Sequence, residues 1–82
     1  MCHIYSKEIA IKTIDNAKKF VQITSQYNED IDIIKGSKVL DAKSIMGILG
    51  LDLRERITIL IHTEDQARAN DLFDKLENAR IR

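Results

Sequence analysis

Apolar residues recur along the chain at two spacings, which separate predicted helices from predicted strands. Three- and four-residue spacing predicts helices over about residues 16–27, 44–49 and 64–79. Thr13 and Asp15 are both suitable N-caps for the first helix, and Ser44 is placed to cap the second. Thr63 followed by Gln66 has capping-box spacing, which predicts the start of the third helix.

Alternating apolar and polar positions, together with β-branched runs, predict four strands. They lie at about residues 3–7, 31–33, 38–42 and 56–61. Gly36 and Ser37 have the composition of a tight hairpin turn between the second and third strands. The resulting order, β-α-β-β-α-β-α, predicts a small antiparallel or mixed sheet with helices on one face, which is a two-layer α+β fold.

The length of 82 residues predicts a single domain over residues 1–82. The chain has 13 Lys and Arg and 13 Asp and Glu, which argues against a nucleic-acid binder driven by bulk charge. One cysteine, Cys2, cannot form an internal disulfide, so a reducing compartment is expected. The chain shows no secretory signal and no apolar run long enough to span a membrane. A soluble cytoplasmic protein without a membrane partner is therefore predicted.

Few residues are arranged for chemistry. His3 and His62 each fall in a predicted strand without a second ligand at metal spacing, so no metal or cofactor is expected. The glycines form no phosphate-binding loop, and a protein that is not an enzyme is predicted. Ser44 is either a simple N-cap or a phosphorylation site at a helix start. The residues after it are either core or an exposed docking patch: Ile45, Met46 and Leu49.

The run AKSIMGILGL at residues 42–51 resembles the signature of the HPr family, the small phosphocarrier proteins of the bacterial sugar phosphotransferase system. The resemblance extends upstream to Phe20 without a gap and covers nearly the whole chain. It implies an open-faced β-sandwich with a four-stranded, mainly antiparallel sheet covered on one face by helices. It also implies a role in sugar transport and its regulation.

The active motif of the HPr family, Gly-Leu-His-Ala-Arg-Pro-Ala, aligns with residues 11–17 of this chain. The phospho-accepting histidine of the family then corresponds to Thr13, the assisting arginine to Asp15 and the proline to Asn16. Only Ala17 is shared. A threonine ester would not pass its phosphoryl group onward, and Asp15 would repel it. The resemblance therefore predicts an HPr-like protein without histidine phosphocarrier activity.

Ser44 matches the serine that an ATP-dependent kinase phosphorylates in HPr proteins of low-GC Gram-positive bacteria. HPr proteins modified there act as corepressors of a catabolite-control transcription factor. By this resemblance the chain is a regulatory or interaction module, modifiable at Ser44 and docking those two partners through Ile45, Met46 and Leu49. Two alternatives stay open: a fold-only paralogue with an unrelated partner, and a phosphocarrier with a non-standard acceptor.

Overall fold

The computed structural model describes residues 3–82; Met1 and Cys2, with the inference made about Cys2, lie outside the described residues. Seven elements follow the predicted order: β1 (His3–Ile9), α1 (Ile14–Thr24), β2 (Ile31–Lys35), β3 (Lys38–Asp41), α2 (Ile45–Leu49), β4 (Ile57–Thr63) and α3 (Gln66–Asn78). Within residues 3–82, no helix combines the length and the apolar character needed to cross a bilayer.

The four strands form one antiparallel sheet in the order β1-β4-β2-β3. The last strand in sequence, β4, is therefore inserted between β1 and β2 and pairs with both. Because β1 and β2 each run antiparallel to β4, they run parallel to one another, and α1 makes the crossover between them. The predicted α+β open-faced sandwich is confirmed.

The hydrophobic core lies between the sheet and one layer of helices. Along β4, burial alternates strictly, and Ile57, Ile59 and Ile61 are buried on the inner side. The core contains Phe20 of α1 and Leu72 of α3, both fully buried. Thr58, Leu60 and His62 alternate with them and stand on the sheet face that none of the three helices covers.

Three local details differ from the predicted elements or refine them. Helix α1 begins at Ile14 and ends at Thr24, so the buried Tyr27 lies beyond the helix. The capping box predicted at Thr63 is wrong, because Thr63 is the last residue of β4 and its hydroxyl accepts a hydrogen bond from Asp65 N. The N-cap of α3 is Asp65, whose carboxylate accepts from the Ala67 N–H at 2.9 Å.

The β2–β3 hairpin turn forms where Gly36 and Ser37 predicted it. Lys35 and Lys38 are paired across the strands, which leaves a two-residue loop. Gly36 has φ 59°, the left-handed value that the first residue of a type II′ loop takes. Because glycine adopts this conformation without a Cβ clash, the turn fixes the register in which Asp32 faces Asp41.

A buried hydroxyl joins the end of α1 to the segment before α2. Thr24 is fully buried, and its Oγ1 donates a hydrogen bond to the carbonyl oxygen of Ala42 at 2.8 Å. A second acceptor, Val21 O, lies at 3.2 Å within the same helix. The contact with Ala42 therefore fixes where the chain enters α2 relative to α1.

Replacing Thr24 with valine removes this hydroxyl at nearly constant volume. We expect Thr24→Val to lower the free energy of unfolding by about 1–2 kcal/mol, because the Ala42 carbonyl loses a buried donor. Urea unfolding measures the change. Thr58→Val is the matched control, since Thr58 stands on the uncovered face of β4 and is expected to change stability by less than about 0.5 kcal/mol. Equal effects of the two changes would show that the hydrogen bond from Thr24 to Ala42 does not stabilise the fold.

Candidate functional site

Thr13 is the N-cap of α1. Its backbone is extended (φ −132°, ψ 160°), and its hydroxyl accepts a hydrogen bond from Asn16 N at 3.0 Å. Its carbonyl accepts from Ala17 N, also at 3.0 Å. Asp15, the other candidate, lies inside the first turn, where its charge favours the positive end of the helix. The start of α1 is thus stabilised by the chain's own side chains.

Residues 11–13, which lead into α1, are held in place from two sides. Asn16 donates a side-chain hydrogen bond from Nδ2 to Ile11 O at 2.9 Å. Lys12 has φ 78°, an uncommon left-handed conformation for a residue with a side chain, and its N–H donates to Leu53 O at 2.7 Å. The Asn16 contact was not foreseen from the sequence, because it depends on the bend of this loop.

Both histidines lie away from Thr13. Cα pairing places His62 opposite Ile4, next to His3, at the end of the sheet where β1 begins. Thr13 follows the other end of β1, about 20 Å along that strand from His3. The His62 Nε2 is 3.0 Å from a carboxylate oxygen of Asp32. Within residues 3–82, no three His, Cys, Asp or Glu side chains are grouped to hold a metal ion.

Ser44 is the N-cap of the five-residue helix α2. Its Oγ accepts a hydrogen bond from Gly47 N at 3.4 Å, and the side chain is half-buried. The preceding Lys43 is anchored, since its Nζ donates to Tyr27 O at 2.7 Å and to Glu29 O at 2.8 Å. The structure therefore presents Ser44 on a fixed segment, with no acidic side chain in the first turn of α2.

The apolar residues after Ser44 divide between core and surface. Ile48 is fully buried and Ile45 is half-buried against the core, whereas Met46 is 79% exposed and Leu49 is 43% exposed. Ile14, at the start of α1, is 58% exposed and was not singled out from the sequence. Because Ile14 precedes the helix predicted at residues 16–27, the apolar periodicity did not indicate that it belongs to a surface.

Two contacts align α1 and α2. The end of α1 contacts the chain before α2 through Thr24 and Ala42, and the loop before α1 contacts the chain after α2 through Lys12 and Leu53. The two helices therefore run in opposite directions, which brings the start of α1 to the end of α2. We call the exposed apolar residues of these two helices the α1–α2 surface: Ile14, Met46 and Leu49.

Ionic contacts join the α1–β2 loop to α3. Glu29 accepts two hydrogen bonds from the Arg68 guanidinium, at 2.9 and 3.0 Å. These bonds lower the pKa of Glu29 from 4.5 to about 2. The hydroxyl of Tyr27 donates to Asp71 at 2.5 Å; burial and this bond raise the pKa of Tyr27. The same loop supplies the carbonyls that anchor Lys43, so these contacts support the Ser44 segment.

Comparison with known protein families identifies the relatives of this chain. The family model described as the PTS HPr component phosphorylation site matches residues 14–79, most of the chain. The chain belongs to the HPr family. A comparison with curated proteins found no match.

Two solved HPr structures share the fold. HPr-C-His from Thermoanaerobacter tengcongensis is 28% identical, with a TM-score of 0.71 over 88% of this chain and 89% of that chain. The phosphocarrier protein HPr from Bacillus anthracis str. Ames is also 28% identical, with a TM-score of 0.67 over 96% of this chain and 98% of that chain. The HPr family match begins one residue after Thr13, and it includes Ser44 and the α1–α2 surface.

The ion pair between Glu29 and Arg68 makes stability depend on pH. Because folding lowers the pKa of Glu29 from 4.5 to about 2, its stabilisation is complete above pH 4.5 and is lost as pH falls toward 2. We expect Glu29→Gln to lower the free energy of unfolding by about 1–2 kcal/mol at pH 7. The effect is limited to this size because solvent around the half-exposed Arg68 weakens the ion pair. The cost should shrink below pH 4.5 and vanish near pH 2.

Urea unfolding between pH 7 and pH 2 measures this difference. Asp74→Asn on α3 is the control, because it removes one carboxylate that has no ion pair within the described residues. Its effect should be below about 0.5 kcal/mol at every pH. A cost of Glu29→Gln that stays constant down to pH 2 would contradict the prediction.

Proposed function

We propose that this HPr-family protein is a regulatory or interaction module of the phosphotransferase system and not a histidine phosphocarrier. One observation carries the proposal: Thr13, which the sequence resemblance aligns with the phospho-accepting histidine, is the N-cap of α1, and both histidines lie at the far end of the sheet. In this proposal the protein acts in the cytoplasm through protein partners. It catalyses no reaction and binds neither a nucleic acid nor a membrane.

The chemistry at Thr13 supports the loss of phosphoryl transfer. A phosphorylated imidazole nitrogen is labile enough to pass its phosphoryl group to the next protein, whereas a phosphothreonine ester is not. The neighbouring Asp15 replaces the assisting arginine of the family, so the sign of the charge there is reversed. The hydroxyl of Thr13 also accepts the capping bond from Asn16, and using it as a nucleophile would disturb the helix start.

Ser44 supports a regulatory role. The sequence resemblance aligns it with the serine that the HPr serine kinase modifies, and no carboxylate lies in the first turn of α2 to oppose a phosphate. A phosphate would add about −1.5 to −2 charges beside the Gly47 N–H that already donates to Ser44. Half-burial of the side chain means that the kinase must approach from the solvent side, over α2.

The α1–α2 surface supplies apolar area for such a partner. Within residues 3–82, Met46 is the most exposed large apolar side chain; it lies two residues from Ser44, and its flexible thioether adapts to different partner surfaces. Leu49 and Ile14 extend the area toward the start of α1. Ile45 can contribute only its exposed edge, because it packs against the core. The kinase and the catabolite-control transcription factor are the partners that we propose for this surface.

The second candidate is a paralogue that keeps only the fold, and the packing of residues 42–51 favours it. Much of the run at residues 42–51 has a structural reason, because Ala42 and Ile48 are fully buried and Ser44 caps α2. Its resemblance to HPr would then reflect the fold alone. This alternative gives no reason for the exposure of a large apolar side chain at Met46.

Histidine phosphotransfer is tested with phosphoenolpyruvate and the first enzyme of the system. We expect no acid-labile phosphate on this protein in conditions that phosphorylate a histidine-containing HPr in the same tube. Thr13→His should regain little transfer, because Asp15 still repels the phosphoryl group, and Thr13→His with Asp15→Arg should regain more. An acid-labile phosphate on the unaltered protein would reject the proposal and favour a non-standard acceptor.

Serine modification is tested by intact mass after incubation with ATP and the HPr serine kinase. We expect a gain of one phosphate, which Ser44→Ala abolishes and Ser37→Ala, at the exposed hairpin turn, does not. Met46→Lys should slow the reaction about tenfold by removing an apolar contact, while Val39→Lys on the opposite sheet face should not. No phosphate gain, with a normal HPr modified beside it, would favour the fold-only paralogue.

A further inference from the structure

An apolar stripe crosses the uncovered face of the sheet. Cross-strand pairing places Ile34 opposite Val39, and it places Leu60 diagonally between Ile4 and Ile34. These four residues come from four different strands and form one diagonal line about 20 Å long. We call them the open-face stripe: Ile4, Leu60, Ile34 and Val39.

The open-face stripe is not part of the core. Ile4 is 57% exposed and Val39 is 64% exposed, while Leu60 and Ile34 are half-buried by their neighbours on the sheet. Alternation would place polar residues at these outward positions in a sheet whose outer face meets only water. Ile4 and Val39 are also the exposed large apolar residues that the α1–α2 surface does not include.

One end of the stripe is acidic. Asp32 and Asp41 face each other across β2 and β3, next to an open cavity of about 380 Å³ that Asp30 also lines. Within residues 3–82, Asp30 and Asp41 have no ion-pair partner, and Asp32 pairs with His62. The ammonium of Lys43, which lines the same cavity, is bound to backbone carbonyls. The cavity therefore offers carboxylates to a cation.

The size of this face argues against a second copy as its occupant. Four strands about 4.8 Å apart and up to seven residues long give an area of roughly 400 Å². A stable interface takes about 800 Å² from each partner. A helix about 10 Å wide fits this area, as α1 and α3 do on the inner face.

We propose that the open face of the sheet docks an amphipathic helical segment of a partner protein, with apolar side chains on the open-face stripe and a lysine or arginine in the cavity lined by Asp30, Asp32 and Asp41. The apolar contact supplies area and the carboxylates select a basic segment. This surface lies on the opposite side of the sheet from α1 and α2, so the inference does not depend on the proposed regulatory function.

The probe is a synthetic helical peptide of about 14 residues, a length that matches the stripe. It carries leucines along one face and two lysines at one end, and a matched peptide carries glutamates in place of the lysines. Binding to the isotope-labelled protein is followed by amide chemical shifts in NMR titrations. We expect saturable shifts in all four strands, and about tenfold weaker binding of the glutamate peptide.

Variants separate the two faces of the molecule. Val39→Lys should weaken binding of the lysine peptide about tenfold, because it removes an apolar contact and adds repulsion. Met46→Lys makes the same change of charge at a more exposed site on the α1–α2 surface and should leave affinity within about twofold. Asp30→Asn combined with Asp41→Asn should weaken binding about fourfold without loss of the stripe contact.

Four results would overturn the proposal: no saturable binding, equal affinity for the two peptides, shifts centred on the α1–α2 surface, or equal effects of Val39→Lys and Met46→Lys. Sedimentation of the protein alone adds one more. A stable dimer that Val39→Lys dissociates would assign this face to a second copy of the chain. Dispersed amide spectra of each variant establish that the fold is retained.

Discussion

The position of β4 between β1 and β2 is the constraint on which the rest of the structure depends. Its inner side chains, Ile57, Ile59 and Ile61, are buried under the helices, and a one-residue shift of register would turn all three to solvent. The same alternation sends Leu60 and His62 to the uncovered face. The strand pairing thereby fixes which residues are core, which lie beneath the helices and which remain available to a partner.

The start of α1 shows how the chain's own side chains can satisfy a helix N-terminus. An open helix N-terminus attracts an anion because its N–H groups lack partners. Here the Thr13 hydroxyl accepts from Asn16 N, and the Asp15 carboxylate supplies the negative charge. The helix thus needs no phosphoryl group to complete it. Because these contacts lie within residues 13–16, the local sequence alone stabilises the helix start.

Local signals in the sequence were enough for the element order, the Gly36 turn and the cap at Ser44. They failed where a longer-range contact decided the outcome. Thr63 has good capping chemistry, but pairing with His3 keeps it in β4, and the cap moves to Asp65. The same holds at the site: periodicity marked residues 45–49 as apolar but could not separate exposed from buried members. That division depends on how α1 packs against α2.

Stabilising contacts and exposed apolar surface are placed on different parts of this molecule. Glu29 of the α1–β2 loop pairs with Arg68 of α3, and Lys43 donates hydrogen bonds to backbone carbonyls of the same loop, so the entry to α2 is held in place. Met46 and Val39, by contrast, have exposed side chains, and they lie on opposite sides of the sheet. Since the sheet separates these two surfaces, the partner proposed over α2 and the helical segment proposed on the open face would contact different side chains and would not compete.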